Sequence, residues 1–182
     1  MKALAAIICA GLMVVGPVGS ALAREAVQVD GWEVSAEENF CFATRLYDEY
    51  QTDQIVSLAI SYNAKAKRSV VSFSNTKTTS VTHEQELPLK IFFMNPDGDL
   101  DEGWGTAQFS VHVSESGHRF FNSEPLEKQL LDDFSKGKLV AFFTGSLVVS
   151  SFALDGSAKA MAELRKCAFE VAGMNPLDPF LR

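Results

Sequence analysis

Apolar and polar positions alternate along most of this chain, in short runs divided by polar turns at about ten-residue spacing. A period of two with such punctuation predicts antiparallel strands joined by short connections. Val27 to Val34 opens the series, with Gly31 at its bend and Trp32 as an early core anchor. From Asn39 to Tyr47, Phe40, Phe42, Thr44 and Leu46 alternate against Cys41, Ala43, Arg45 and Tyr47. Both sets carry apolar side chains, which predicts an inner strand. In Gln54 to Tyr62, Ile55, Ser57 and Ala59 oppose Val56, Leu58 and Ile60, and Arg68 to Asn75 continues the meander after a turn. Thr76 to Glu86 is rich in Ser and Thr, a loop or a solvent-facing edge. Leu87 to Met94, Trp104 to Val113 and His118 to Phe121 resume the alternation, with Pro88 marking an edge or bulge.

Two stretches change to a helical period. Ser123 is placed to cap a helix that Glu124 and Pro125 begin and Gly137 ends, with Leu126, Leu130 and Phe134 as its buried stripe. Lys138 to Thr144 and Ser146 to Leu154 then form a hairpin around Gly145. After an Asp155-Gly156 turn, Ser157 caps a last helix whose Met161, Leu164, Ala168 and Val171 share one face, with Cys167 adjacent and Gly173 as the stop. The fold class is α+β, mostly β. Eight or nine antiparallel strands and two helices are expected, the last helix closing the domain. The fourteen Phe residues suit a sheet-based core. An antiparallel sandwich and a barrel-like sheet both satisfy the pattern.

The N-terminus changes the picture. Lys2, an apolar run from Ala3 to Val15 and the small-residue end Ala21-Leu22-Ala23 form a secretory signal pattern over residues 1–23. The run is short of the roughly 20 apolar residues that span a bilayer, and Cys9 leaves with the signal. A single β-rich domain over 24–173 and a tail over 174–182 remain. Removing Lys2 takes the net charge from −7 to −8. So acidic a chain, with no basic cluster, is poorly suited to nucleic acid or to anionic lipid. In an exported chain the two remaining cysteines, Cys41 and Cys167, read as one disulfide closing a loop of about 125 residues.

The candidate chemistry is thin. Asp97, Asp99 and Asp101 have the opening spacing of a calcium loop, but its sixth position is Glu102 rather than Gly and its twelfth Gln108 rather than Glu. Pro96-Asp97-Gly98 accounts for the segment as a solvated turn. His112 and His118 flank a turn over 114–117. A four-residue turn pairs 112 with 119 and sends the two imidazoles to opposite faces. His83 lies in the polar loop beside Glu84 and Glu86. No spacing typical of zinc ligands occurs, and no G-x-S-x-G elbow. Thr144-Gly145-Ser146 and Asp155-Gly156-Ser157 read as a hairpin turn and a helix cap. No catalytic residue, cofactor or metal is expected.

Gly31-Trp32, Cys41 and the closing Leu154-Asp155-Gly156-Ser157, Ala160, Leu164 and Cys167 resemble small exported domains of alphaproteobacteria and, more widely, the invasion-associated locus B group, whose further cysteines are missing here. The resemblance implies a periplasmic or secreted β-rich domain and carries over no functional residue. Ser116-Gly117-His118-Arg119-Phe120 also resembles the Ser-Gly-x-x-Tyr loop of periplasmic lysozyme inhibitors, with Phe in place of Tyr. The expectation is an exported binding protein whose partner is a protein or envelope component, with no nucleic acid and no membrane span after signal cleavage. A hydrolase with an unrecognised active site, or a protein like the lysozyme inhibitors, is the alternative.

Overall fold

The structure is a computed structural model that describes residues 25–37, 40–49, 53–95, 97 and 103–175. The expected signal segment over 1–23, most of the acidic loop and the end of the tail lie outside those residues. Among the described residues eleven strands form: β1 (Val27–Val29), β2 (Trp32–Glu37), β3 (Phe40–Asp48), β4 (Ile55–Asn63), β5 (Arg68–Asn75), β6 (Glu86–Met94), β7 (Gly105–Val113), β8 (Arg119–Ser123), β9 (Leu126–Glu127), β10 (Leu139–Thr144) and β11 (Leu147–Ala153). Two helices join them, α1 (Leu130–Lys136) and α2 (Ser157–Val171).

All the strands belong to one antiparallel sheet in the order β1-β2-β3-β4-β5-β8-β7-β6-β10-β11, with β9 paired to β5. Of the two arrangements the pattern allows, the chain therefore takes the single sheet, and it is not closed by backbone pairing. β1 to β5 are a meander. The Ser/Thr-rich segment then carries the chain past two strand positions, so that β6, β7 and β8 return in reverse order and β8 lies against β5. The first hairpin turns on Asp30 and Gly31, both at positive φ, as a two-residue turn matched to strand twist requires.

The sheet is coiled until its end strand faces its beginning. Phe73 of β5 marks the centre. It stacks on Phe121 of β8 and Phe142 of β10, with ring centroids 4.6 and 4.3 Å away, and meets Phe109 of β7 and Phe152 of β11 at 5.8 and 5.9 Å. One ring thus joins five strands. Offset and tilted aromatic contacts of this kind add about 0.5–1.5 kcal/mol each to the burial term.

α2 covers the concave side of β2, β3 and β4 through its buried Ala160, Met161, Leu164, Cys167 and Ala168. The Sγ atoms of Cys167 and Cys41 are 2.00 Å apart, with Cα atoms 6.0 Å apart. The helix is entered at Gly156, which has φ +76°. A Cβ at Gly156 would lie 2.6 Å from both the Cβ and the carbonyl oxygen of Asp30, so this contact admits only glycine.

Three local expectations are corrected. Ser123 does not cap a helix: it ends β8, and its hydroxyl accepts from the Val71 N–H at 3.0 Å and donates to the Glu124 carbonyl at 2.8 Å. Leu126 and Glu127 pair with Ser69 and Arg68, so α1 is delayed to Leu130. Ser157 is buried inside the first turn of α2, and its hydroxyl makes no cap bond there. Gly137 ends α1 at φ −68°, so its role is space: a Cβ there would meet Phe93 and the Asp133 carbonyl oxygen at 3.1 Å. Beyond Gly173, the Met174 N–H donates to the Phe169 carbonyl and its side chain packs against the core.

Candidate functional site

The site begins with the way β3 is turned. Cys41 must face α2 to reach Cys167, and strand residues two apart share a face. Cys41, Ala43, Arg45 and Tyr47 therefore point inward. Phe40, Phe42, Thr44 and Leu46, the more apolar set, point out. β3 is an inner strand by pairing, between β2 and β4, yet among the described residues its apolar outer side is only partly covered, with Phe42 and Thr44 half-buried. Phe40 is 43%, Leu46 64% and Ile55 of β4 57% exposed.

The neighbours do not cover these side chains. Phe42 lies opposite Ser35 and Ser61, Leu46 opposite Ser57, and Thr44 opposite Ala59. The carboxylates on the same face stand around the apolar row: Glu37 opposite Phe40, Glu33 opposite Thr44, and Asp48 opposite Ile55. A shallow depression of about 400 Å³ opens here, lined by Gln28, Gly31, Glu33, Thr44 and Leu46. The outward row continues from Leu46 through Ser57 and Ser74 to the exposed Phe120 and to His112.

The inward half of β3 explains this arrangement. Trp32 Nε1 donates to the Asp155 carbonyl at 3.0 Å, and Arg45 Nη1 donates to the same oxygen. The Tyr47 hydroxyl donates to the Ala153 carbonyl at 2.7 Å, and Asn75 Nδ2 to the Val149 carbonyl at 3.0 Å. Side chains from β2, β3 and β5 thus close the gap that backbone pairing leaves beside β11. The Arg45 guanidinium lies 5.2 Å from the Tyr47 ring centroid, within cation–π range. Burial pushes the Tyr47 phenol up to about 12, opposed by Arg45 and assisted by Asp155. Arg45 and Tyr47 are structural here, and on the opposite face Phe40 and Leu46 are exposed and Phe42 is half-buried.

The histidines are redistributed. The 114–118 turn pairs Val113 with Arg119 and His112 with Phe120, one residue from the expected register. The slip brings His118 onto the face of Phe120 and His112. His118 stacks on Phe120 with centroids 6.4 Å apart, and its Nε2 lies 3.1 Å from Gln54 Oε1. His112 meets His83 instead, with ring centroids 4.6 Å apart and edge to face. His83 Nδ1 accepts from the Val113 N–H at 3.1 Å, while its Nε2 lies 3.9 Å from the Glu84 carboxylate. Among the described residues no three metal-binding side chains converge. Asp97 is exposed, and Asp99, Asp101 and Glu102 lie outside the described residues.

The Ser116–Phe120 loop is occupied internally. Ser116 and Ser114 hydroxyls share a hydrogen bond of 2.9 Å, and Arg119 donates to the carbonyls of Gly117, Val81 and Thr79. Gly145 and Ser146 form the β10–β11 turn, and with Lys90, Phe92 and Phe143 they line a second depression of about 260 Å³. Among the described residues no helix is long and apolar enough to cross a membrane. Comparison of the chain with protein-family models, with curated proteins and with solved structures yields no match.

Proposed function

We propose that this is an exported, periplasmic or secreted, β-rich binding protein, and that a protein or envelope component docks on the outer face of β3 and β4. The observation that carries this reading is the exposure of Phe40, Leu46 and Ile55 on one face, with Phe42 between them and small side chains around them. Contiguous exposed apolar side chains ringed by polar ones mark interaction surfaces. The signal-like N-terminus and the Cys41–Cys167 pair support export, since disulfides persist in oxidising compartments. The resemblance to exported alphaproteobacterial domains points the same way.

The test is affinity capture from a periplasmic extract, with the oxidised 24–182 chain, a crosslinker and mass spectrometry. One saturable partner is expected, and Leu46→Glu or Phe40→Ser is expected to lower its recovery about tenfold or more, the equivalent of ~1.4 kcal/mol. Both positions are exposed, so melting temperatures should hold within a few degrees. Recovery that is indifferent to both substitutions overturns the docking face.

A further inference from the structure

We infer that the outer face of β2, β3 and β4 docks a cationic amphipathic polypeptide segment. Its apolar side chains would lie over Phe40, Phe42, Leu46 and Ile55, and its Lys or Arg side chains over Glu33, Glu37 and Asp48. This rests on the docking reading above and assigns the chemistry of the partner.

The charge on the face selects the occupant. The outward positions of β1 to β4 hold three carboxylates, Glu33, Glu37 and Asp48, and no Lys or Arg. The basic residue of β3, Arg45, is turned inward to Asp155. Among the described residues Glu33, Glu37 and Asp48 take part in no ion pair. Glu33 accepts one hydrogen bond, from Gln28 Nε2 at 2.9 Å. An approaching cation therefore displaces no internal one. A second copy placed face to face would bring six carboxylates around one apolar centre. Anionic lipid and nucleic acid meet the same repulsion.

The geometry sets the size of the segment. Phe40 to Leu46 is a run of seven strand residues, a rise of about 20 Å at ~3.3 Å per step. An extended segment of about seven residues, or a helix of about thirteen, matches that row. Glu37 stands at the Phe40 end and Asp48 near the Leu46 end, with Glu33 beside the middle. Cations at both ends of an apolar stripe would meet them.

The test uses two synthetic amphipathic helices of Leu with Lys and of Leu with Glu, identical in length and fluorescently labelled. Anisotropy is read with the oxidised 24–182 chain at low salt and at about 0.15 M salt. The Leu/Lys peptide is expected to bind at least about tenfold tighter than the Leu/Glu peptide and to weaken several-fold at the higher salt. Glu33→Lys with Glu37→Lys is expected to reverse the preference, and Leu46→Ser to weaken the Leu/Lys peptide, all in variants with unchanged circular dichroism. Equal binding of the two peptides, no binding, or a preference that survives the charge reversal overturns the proposal. So does adsorption to anionic phospholipid vesicles, or a dimer in sedimentation abolished by Leu46→Glu, since either gives the face another occupant. If the captured partner depends on Leu46 but not on Glu33 and Glu37, the docking face stands and its cationic partner falls. If capture ignores Leu46, the face itself falls.

Discussion

Tyr47 shows how single residues hold this structure together. Its ring lies 5.2 Å from Phe152, and its hydroxyl ends on the Ala153 carbonyl. A phenol raised from 10.0 to about 12 holds its proton more firmly in the folded chain than in the unfolded one. Its stabilising contribution is therefore complete below pH 10 and is lost as the pH rises through about 12. Tyr47→Phe should lose about 1 kcal/mol at neutral pH. Between pH 10 and 12 it should also lose less stability than the parent protein, because it cannot ionise. Denaturant titrations of both proteins across that range check this, and parallel pH profiles would refute the placement of the phenol. Alternation identified Tyr47 and Arg45 as sharing a face with Cys41, but not which face was inside. The signal was present in Cys41 itself: a cysteine that must reach a covering helix fixes the parity of its whole strand. Leu46 and Phe40 could have been assigned to the solvent by that reasoning, although hydrophobicity alone places them in the core.

Among the elements, α2 was the most legible and α1 the least. A long amphipathic period, a turn before it and a glycine after it agree with one another around α2, and Met161, Leu164 and Ala168 are buried as that period requires. α1 is only seven residues long, and Leu126 is buried in a two-residue strand rather than on its face. Local cap chemistry predicted a start at Ser123, but a tertiary hydrogen bond to Val71 took that hydroxyl. Short elements are decided by such competitors more than by period. The link between α2 and β3 has its own measurable signature. Joining residues 126 apart stabilises by roughly 4–5 kcal/mol in the chain-entropy model. Cys41→Ser and Cys167→Ser should each lower stability by similar amounts, and the double variant by little more. Additive losses in denaturant titrations would mean that the two sulfurs act separately.

At the scale of the molecule, the meander was readable, but neither the strand count nor the order of the sheet was: eight or nine strands were expected and eleven form, because Val27 to Val34 folds as a hairpin and Leu126–Glu127 pairs with β5. Nothing in the alternation says that β8 rather than β6 lies beside β5, or that β11 returns to face β3. Those depend on which faces find each other around Phe73, and long-range aromatic packing leaves no local period. The same coiling makes the assembly depend on its cover. A chain ending at Asp155 retains every strand but lacks α2, leaving Val34, Cys41, Ala43, Leu58 and Ile60 without the helix that packs on their strands. That truncated chain should bind a hydrophobic dye and show no cooperative melting transition. A cooperative transition near that of the 24–182 chain would show that the sheet stands without its helix.

The separation of Cys41 from Cys167 also bears on time. In the exported chain proposed above, entry into its compartment N-terminus first would deliver β1 to β4 early and α2 last of the described elements. Through that interval Cys41 waits, and the concave side of the first strands has no lid. Closure then comes in one late step, when the final helix arrives and carries the second sulfur with it. The thiol of Cys41 should accordingly stay open to an alkylating reagent throughout translocation and become protected only after the C-terminus is released.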